Sequence, residues 1–366
     1  MVESLKSFVL PGKANIILGG QFGSEAKGLI AGAIGLSSPI DIVTTNNAVQ
    51  SGHTFVREDG TSFVGFHIPT SGIVSEAQIH LNAGAIIDLE KLAEELEEFK
   101  CADRTIIHPR ATIITKEDKE YEGNVSSGAA GLASTQKGVG RAFARKIMRE
   151  TNLAESYRAE IEAMGAQVGV VDVMGAMEMG ARVVVEVPQG YSLSINAGLG
   201  YPTCTSRDCT VAQALSDANI HPSFLGNVMV ALRAFPIRVG NLVVDGKEVG
   251  NSGGGYPDQV ELNWDHFSDL GVKPELTTVT KRVRKIFTFS PMQYAQMVKS
   301  NRPTHVFLNF VNYMHDQVEF QELVRKMSEV YPILSHYGVG PKVSDIYSQG
   351  EEAALYQRLG WQDAAN

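Results

Sequence analysis

The sequence has no hydrophobic run that approaches the roughly twenty apolar residues required for a membrane-spanning helix. Its first residues, MVESLKS, are too few and too polar for a secretory signal peptide. We therefore expect a cytoplasmic protein with no membrane partner.

Cysteine and positive charge are also scarce. The three cysteines, Cys101, Cys204 and Cys209, form no CxxC pair and offer too few ligands for a structural zinc site, so we interpret them as free thiols. Lys and Arg number 32 against 41 Asp and Glu, which gives a formal net charge of −9. Because binding to a nucleic-acid polymer requires clustered positive charge, the composition argues against such a partner, although single nucleotides remain possible ligands.

The remaining composition is that of a globular protein with a large core, since 43% of the 366 residues are hydrophobic and 20% are charged. Strand-like runs at residues 79–81, 105–107, 182–187 and 306–308 alternate with helical stretches such as residues 88–99. This alternation predicts an α/β fold with a central, mostly parallel sheet flanked by helices. We expect residues 1–366 to form a single domain with inserted helical and loop subdomains.

The first strongly patterned stretch is NIILGGQFGSEAKGLIAG, which predicts a buried strand at residues 15–18 and a helix from Lys27. A glycine-rich turn that leads into a helix directs backbone N–H groups and the positive end of the helix dipole at one point, where phosphate can bind. Lys27 would add a full charge. The match to the P-loop pattern is imperfect, because the segment from Gly20 to Lys27 is one residue too long and Ala26 replaces its second glycine. Taken alone, the stretch is explained equally well by a tight turn with an exposed lysine.

Two further segments contain candidate catalytic and binding residues. In VQSGHTF, the carbonyl of Gly52 could approach a ligand or metal and His53 could polarise or protonate a developing anion, although a lone histidine is usually structural. In ASTQKGVGRAFARKIMRE, Ser134 and Thr135 precede a glycine turn and Arg149 lies on the following helix. A capped, solvated basic helix is the alternative interpretation. The preceding segment, residues 121–136, has no periodicity and is predicted to be a linker or a mobile functional loop.

Two later segments carry polar groups of the same kind. The segment VPQGYSLSINAGLGYPTCTSRDCT places Gln189 at the end of a strand and Thr205 in a loop of small polar residues, where both could bind a ligand. An ordinary loop hairpin is the alternative interpretation. In TTVTKRVRKIF, an extended conformation would direct Arg282 and Arg284 to one face, which suits a dicarboxylate or a phosphate. A solvated basic edge strand is the alternative.

The ordered set GGQFGSEAKG, SGHT, ASTQKGVG with a downstream arginine, PQG, YPTCTS and TVTKRVR resembles the adenylosuccinate synthetase family. HYGVGP near the end of the chain resembles the base-binding turn of that family, so the resemblance covers nearly the whole sequence. It implies a homodimer, Mg²⁺ as cofactor, and a central sheet related to that of P-loop NTPases with smaller accessory subdomains. It also implies that a nucleoside triphosphate phosphorylates the 6-oxygen of a purine nucleotide and that L-aspartate then displaces the phosphate.

The resemblance also implies residue roles. Lys27 would hold the γ-phosphate, His53 and the residue at position 24, Ser24, would take part in catalysis, and Ser24 and the Gly52 carbonyl would lie at the metal. The implied triphosphate-binding residues are Gln21, Gly23, Glu25, Ala26, Lys27, Gly28, Gly52, His53, Thr54, Asn309, Asn312, Gly338, Gly340 and Pro341. The implied monophosphate-binding residues are Ser24, Gln50, Ser134, Thr135, Gln189, Thr205 and, from the partner subunit, Arg149. The implied aspartate-binding residues are Thr278, Val279, Thr280, Arg282 and Arg284.

Ser24 departs from the family pattern. The usual turn reads Gly-Asp-Glu-Gly-Lys-Gly, and its aspartate takes the proton from N1 of IMP and helps to bind Mg²⁺, whereas this chain has Ser24 there. An alcohol cannot act as that base near neutral pH. Guanine has a 2-amino group beside N1, so the shorter hydroxyl would leave room for it and accept its hydrogen bond.

A second departure lies in FLNFVNYMHD. The family's usual Thr-Lys-Leu-Asp recognises GTP through its aspartate, and Asn309-Phe310-Val311-Asn312 stands in its place. Asn312 brings no carboxylate and Phe310 replaces a lysine with an aromatic face, so ATP or dATP is the expected donor.

Both departures fit the phage-type variant of the family, which condenses dGMP with aspartate to make a precursor of 2-aminoadenine DNA. The cytoplasm would then be that of the host. An ordinary enzyme that uses IMP and GTP is the first alternative, and a comparison of the two monophosphates would separate them. A catalytically inactive nucleotide-binding protein is the second. Phosphate release that requires both aspartate and a purine monophosphate would exclude it.

Overall fold

The computed structural model describes residues 5–124, 131–151, 153–277 and 280–361. The strands are β1 Lys13–Gly19, β2 Ile42–Thr45, β3 His53–Val56, β4 Ser62–Gly65, β5 Gln78–Leu81, β6 Ile86–Ile87, β7 Thr105–Ile107, β8 Thr112–Ile113, β9 Gln167–Val168, β10 Arg182–Glu186, β11 Leu225–Arg233, β12 Ile237–Arg238, β13 Leu242–Val244, β14 Lys247–Gly250, β15 Glu261–Leu262, β16 Lys285–Phe287, β17 His305–Asn309, β18 Leu334–Gly338 and β19 Ile346–Ser348. The helices are α1 Lys27–Ser37, α2 Thr70–Ile73, α3 Leu89–Phe99, α4 Lys116–Gly123, α5 Val139–Met148, α6 Arg158–Ala163, α7 Val173–Glu178, α8 Val211–Asp217, α9 Pro291–Asn301, α10 Gln317–Val330 and α11 Glu352–Leu359.

The central sheet has ten strands in the order β19-β18-β17-β11-β1-β10-β2-β5-β7-β9. Its neighbouring strands are parallel, apart from the antiparallel pair β18–β19 at one edge. The predicted α/β fold with a mostly parallel sheet is therefore confirmed. The five runs singled out in the sequence match β5, β7, β10, β17 and α3, with β10 ending one residue earlier and α3 beginning one residue later than predicted.

Both faces of the sheet are covered. In β1, Ile16 and Leu18 pack into one hydrophobic cluster with residues of α8, α9 and α10, while Ile17 packs on the opposite face with Leu29 and Ile30 of α1. Because successive side chains of a strand point to opposite faces, a strand buried on both sides reads as a continuous apolar run. This accounts for the Asn-Ile-Ile-Leu run at residues 15–18.

The prediction of an irregular segment at residues 121–136 is wrong at its start. Residues 121–123 form the last turn of α4, which begins at a capping box in which Thr115 and Asp118 bind each other's backbone N–H groups. This cap fixes the beginning of the helix, and the helix then extends into the glycine-rich stretch. Residues 125–130 of the predicted loop lie outside the described residues.

Strand β1 lies between β10 and β11 in the sheet. The strands β2, β5, β7 and β9 lie beyond β10, and the strands β17, β18 and β19 lie beyond β11, so the strand order reverses at β1. In a parallel sheet of this kind, ligands bind outside the carboxyl ends of the strands where the strand order reverses. The carboxyl ends of β1, β10, β11 and β17 lead to the glycine-rich turn, Glu186, Arg233 and Asn309. The topology therefore brings these four segments to one edge of the sheet.

Two smaller elements complete that edge. The β3–β4 hairpin begins at His53, and α1 packs closely against it, since a Cβ atom on Gly28 would lie 2.2 Å from the Thr54 carbonyl oxygen. In the antiparallel sheet β12-β16-β15, the strand β16 begins directly after Arg284. Among the described residues, no helix combines the length and the hydrophobicity that a membrane span needs.

Candidate active site

A cavity of about 470 Å³ lies at the carboxyl edge of the central sheet. Its walls come from the glycine-rich turn, the β3–β4 hairpin, the PQG segment, the Thr277–Arg284 region, and the turns that follow β17 and β18. This volume is within the roughly 300–1,000 Å³ that is usual for small-molecule sites.

The glycine-rich turn is shaped by the side chain of Glu25. This carboxylate is fully buried, and its Oε1 accepts hydrogen bonds from the backbone N–H groups of Gln21, at 3.0 Å, and Gly23, at 2.6 Å. Ser24 and Ala26 have φ of 59° and 66°, in the left-handed region that favours glycine. Glu25 thus folds the turn from inside and does not line the cavity.

Lys27 is the first residue of α1, and its side chain is buried. Its Nζ donates to Glu25 Oε2, at 3.2 Å, and to the carbonyl oxygen of Gln189. The ammonium group therefore connects the turn to the PQG segment. It lies at a helix N-terminus, where the dipole adds to its positive charge.

His53 faces a second buried carboxylate, that of Glu186. His53 Nδ1 lies 3.9 Å from Glu186 Oε2, and both side chains are at most 5% exposed. Burial, followed by the charge of Lys27, lowers the pKa of His53 to about 3, so the imidazole is neutral at pH 7. Burial raises the pKa of Glu186, while hydrogen bonds from Ser71 and Thr70 act in the opposite direction.

The wall near the turn after β17 contains an ion pair between Arg233, which is buried, and Glu275, which is half-buried. Arg233 Nη1 donates to Glu275 Oε2, at 3.2 Å, and to the Ser24 carbonyl oxygen, at 3.0 Å. Tyr313 Oη donates to Glu275 at 2.8 Å, and the Arg233 guanidinium lies 3.5 Å from the centre of the Phe310 ring. Although burial by itself would raise the pKa of Glu275, Arg233 and Tyr313 outweigh it and hold that pKa below its usual value. The pair links the Ser24 turn to the segment that follows β17.

Most of the predicted site residues meet in this cavity. Those that line it are Gly23, Ser24, Ala26, Lys27, Gly28, Gln50, Gly52, His53, Thr54, Thr135, Gln189, Thr280, Arg284, Asn309, Asn312, Gly340 and Pro341. The cavity lining does not include Gln21, Glu25, Ser134, Arg149, Thr205, Gly338 or Arg282. Thr278 and Val279 lie outside the described residues.

Several residues that do not line the cavity support those that do. Gln21 exchanges two hydrogen bonds with the backbone of Arg233, and Thr205 accepts one from Gln50 at 3.2 Å. Gly338 lies against Asn309, because a Cβ atom there would be 2.3 Å from Asn309 Oδ1. Arg149 is exposed at the end of α5 with a φ of 63°.

The segment that contains Arg282 and Arg284 is not extended throughout. Lys281 has a φ of 54° and its N–H donates to the Thr277 carbonyl oxygen, so the chain turns there. Arg284 lines the cavity, whereas Arg282 Nη2 donates to the carbonyl oxygens of Ala133, at 2.7 Å, and Ser134, at 3.2 Å. The turn precedes Arg282, and Val283 forms an antiparallel bridge with Leu276, so the placement of the two arginines on one face stays a prediction. The side chain of Arg282 joins two loops.

Sequence reasoning missed Arg233, Glu275 and Glu186. Arg233 and Glu186 each end a buried apolar strand, and a charged residue in that position was a usable signal. Glu275 had no comparable local signal, because its partner lies 42 residues away in the sequence.

Among the described residues, one group of side chains has the spacing of a metal site, namely His266, His315 and Glu319. None of the three lines the cavity. This group is therefore separate from the cavity that contains the glycine-rich turn.

Comparisons with known proteins agree on one family. Residues 16–162 and 150–321 match the family model of adenylosuccinate synthetase. The chain is 36% identical over 364 residues to the N6-succino-2-amino-2'-deoxyadenylate synthase of Salmonella phage PMBT28, covering 91% of this chain and 97% of the relative. It is 29% identical over 289 residues to the adenylosuccinate synthetase of Pyrococcus horikoshii, covering 77% of this chain and 80% of the relative.

A solved structure is similar over nearly its whole length. It is the succinoaminodeoxyadenylate synthetase of cyanophage S-2L, bound to dGMP and to dATP as an energy donor. The two folds superpose with a TM-score of 0.84 at 33% sequence identity, and the match covers 95% of this chain and 99% of the other.

The ion pair of Arg233 and Glu275 leads to a testable prediction about stability. Replacement of Arg233 by Met should lower the free energy of unfolding by about 3 kcal/mol, because it leaves the Glu275 carboxylate without its cation. Glu275→Gln in the same chain should recover part of that loss. Urea unfolding of both single variants and the double variant measures the coupling, and strictly additive losses would contradict the ion pair.

Proposed function

The chain belongs to the adenylosuccinate synthetase family, and we propose that it condenses dGMP with L-aspartate, using ATP or dATP, to form 2-amino-2'-deoxy-N6-succinyladenylate. The observation that carries this proposal is Ser24, an exposed residue that lines the cavity at the position where the family pattern has an aspartate. The phage relatives named above are synthases of the same product. We place the reaction in the cytoplasm, that of the host if a phage encodes the chain.

The surroundings of Ser24 support a purine with a 2-amino group. The adjacent carboxylate, Glu25, is directed into the turn, and Glu275 is paired with Arg233, so neither compensates for the missing aspartate at position 24. The side chain of Ser24 is exposed to the cavity. A hydroxyl there is short enough to leave room for the amino group and can accept its hydrogen bond.

The donor triphosphate would bind on the other side of Lys27. Asn312, Phe310, Gly340 and Pro341 line that part of the wall, and none of them offers a carboxylate to the guanine edge of GTP. Asn309 Nδ2 donates to the Glu25 carbonyl oxygen at 2.8 Å, so this side chain braces the turn. An adenine base needs no carboxylate partner, which favours ATP and dATP.

The aspartate substrate would bind between Thr280 and Arg284, the residues of the TVTKRVR segment that line the cavity. Burial lowers the pKa of Arg284 to about 10, which leaves the guanidinium charged at neutral pH. A buried guanidinium can pair with a carboxylate through two hydrogen bonds. Arg282 would contribute indirectly, by holding the Ala133–Ser134 loop against this segment.

The cavity suits Mg²⁺ bound mainly through phosphate oxygens. Gly52 and Ser24 both line it and offer a carbonyl and a hydroxyl oxygen, which are ligands that Mg²⁺ accepts. The ion would neutralise charge on the β- and γ-phosphates during transfer. Lys27, at the helix N-terminus, would hold the γ-phosphate itself.

A homodimer would complete the monophosphate site. Arg149 is exposed and does not line the cavity of its own chain, and its neighbours Ile147 and Met148 are 62% and 64% exposed. Exposed apolar side chains beside an exposed arginine are typical of a surface that a second subunit covers. We propose that Arg149 reaches the phosphate of dGMP in the partner subunit.

The donor proposal predicts that ATP and dATP give at least about tenfold higher kcat/KM than GTP, because an unpaired polar edge in a buried site costs about 1–3 kcal/mol. Initial rates of phosphate release with dGMP and aspartate measure this. Asn312→Asp should reduce the ratio of kcat/KM for ATP to kcat/KM for GTP, because it restores a carboxylate for the guanine edge. Equal kcat/KM for ATP and GTP in the wild type would refute the proposal.

Ser24→Asp should shift the preference from dGMP toward IMP, because a carboxylate crowds the 2-amino group and restores a base for hypoxanthine. The quantity to measure is the ratio of the two kcat/KM values. Any effect of the new charge on Mg²⁺ largely cancels in that ratio. A ratio that stays fixed would show that Ser24 does not set the preference.

The shared site predicts complementation between inactive subunits. Arg149→Ala and Lys27→Ala homodimers should each lose activity, whereas mixed dimers should regain one intact site. Activity is measured after the two differently tagged variants are unfolded and refolded together and the mixed dimers are purified. Verified mixed dimers without activity would argue against a contribution from the partner.

A further inference from the structure

The proposed function leaves one group of chemistry-bearing side chains without a role. It consists of His266, His315 and Glu319, and a ligand atom from each of the three lies within 4.8 Å of the other two. None of them lines the cavity. We call these residues the two-histidine group and ask what they bind.

The backbone of all three residues is anchored. His266 belongs to the short 3₁₀-helix Trp264–Phe267, whose two end residues are buried. Glu319 lies in the first turn of α10, where its N–H donates to the side chain of Asp316 at 2.9 Å. His315 directly precedes this cap, and its own N–H donates to Glu319 Oε2 at 2.8 Å. Side chains that project from anchored backbone are held near one geometry, as a metal site requires.

The imidazole of His315 has oxygen acceptors at both of its nitrogens. Nε2 lies 3.1 Å from the carbonyl oxygen of His266 and 3.4 Å from Asp269 Oδ1. Nδ1 lies 3.3 Å from Glu319 Oε2. A neutral imidazole has a single N–H, and the two acceptors at Nε2 place it there, so the lone pair of Nδ1 is directed toward a carboxylate. This is the arrangement of a metal-binding histidine, which donates its other N–H to a carbonyl or a carboxylate.

The separations within the group fit a tetrahedral ion. Ligand atoms at 2.0–2.1 Å from Zn²⁺ are about 3.4 Å apart, and His315 Nδ1 and Glu319 Oε2 are 3.3 Å apart. The rings of His266 and His315 are 4.9 Å apart between their centres and inclined at 72°. Because the side chain of His266 is exposed, it can turn toward Nδ1 of His315 without displacing packed atoms.

The donor set selects the kind of ion. Two imidazoles and one carboxylate suit Zn²⁺, whereas Mg²⁺ is bound through oxygen ligands. The ion that fits here is therefore different from the Mg²⁺ that we propose for the cavity.

We infer that His266, His315 and Glu319 bind one Zn²⁺ ion, with a water molecule in the fourth position. This inference does not depend on the proposed function. The ion joins the 3₁₀-helix between β15 and β16 to the beginning of α10. Both segments lead to the cavity wall, since Trp264 Nε1 donates to the Arg284 carbonyl oxygen at 2.7 Å and Asn312 lies three residues before His315. The ion is thus a structural one that holds these two parts of the wall together.

The test is titration of the full-length chain with Co²⁺ in the presence of excess Mg²⁺. Tetrahedral Co²⁺ absorbs visible light, so we expect absorption that saturates at one equivalent and disappears when Zn²⁺ is added. His266→Gln and Glu319→Gln should each weaken Co²⁺ binding at least about tenfold, because loss of even an outer-shell partner of a ligand costs about 10- to 100-fold. His221→Gln is the matched control, since His221 is an exposed histidine outside the group, and it should bind Co²⁺ as the wild type does.

Thermal unfolding gives a second readout. An ion that binds the folded chain raises its Tm, so Zn²⁺ should raise the Tm of the wild type and of His221→Gln but not that of His266→Gln. Because His266 is exposed, this variant decides the question if Glu319→Gln does not fold. A wild type that binds no Co²⁺ would overturn the proposal. Equal Co²⁺ affinity in the wild type and His266→Gln would also overturn it, because the ion would then lie elsewhere.

Discussion

The site depends on one buried carboxylate. Glu25 binds the backbone N–H groups of Gln21 and Gly23 and also the ammonium group of Lys27. A buried carboxylate is costly unless it is paired and hydrogen-bonded, and these donors meet that requirement. As a result, the turn keeps a conformation in which Ser24 lines the cavity and Lys27 is the first residue of α1. The second glycine of a P-loop is dispensable here, because Ala26 takes up the left-handed conformation that this arrangement imposes.

The parallel sheet explains why distant parts of the sequence meet at this turn. Glu186, Arg233 and Asn309 each end a strand that lies beside β1 or one strand away from it. Each of them makes contact near the turn: Arg233 with the Ser24 carbonyl, Asn309 with the Glu25 carbonyl, and Glu186 with the ring of His53. The carboxyl edge of the sheet thus supplies the supports, and the loops supply the groups that face the cavity.

Much of this arrangement was predictable from the sequence. The alternation of short apolar runs and helical stretches identified the fold, and the ordered motifs identified most of the residues on the cavity wall. The sequence was less informative for residues whose contacts depend on the tertiary structure. The donor-binding role of Glu25 and the aspartate-binding role of Arg282 stay predictions, but the contacts of these side chains, with the turn and with a second loop, could not be predicted. The contact between Arg233 and Glu275 could not be found from local patterns, because it depends on how the accessory segment folds back onto the sheet.

The central claim is that this cavity accepts a 2-amino purine because position 24 carries a hydroxyl. Competition between dGMP and IMP tests it most directly. Both nucleotides are supplied at equal concentration with ATP, Mg²⁺ and aspartate, and the ratio of the two succinyl products is measured by mass spectrometry, which gives the ratio of kcat/KM values. The account predicts that the product of dGMP predominates by at least about tenfold, a difference of about 1.4 kcal/mol in transition-state binding. A predominance of the IMP product would contradict it.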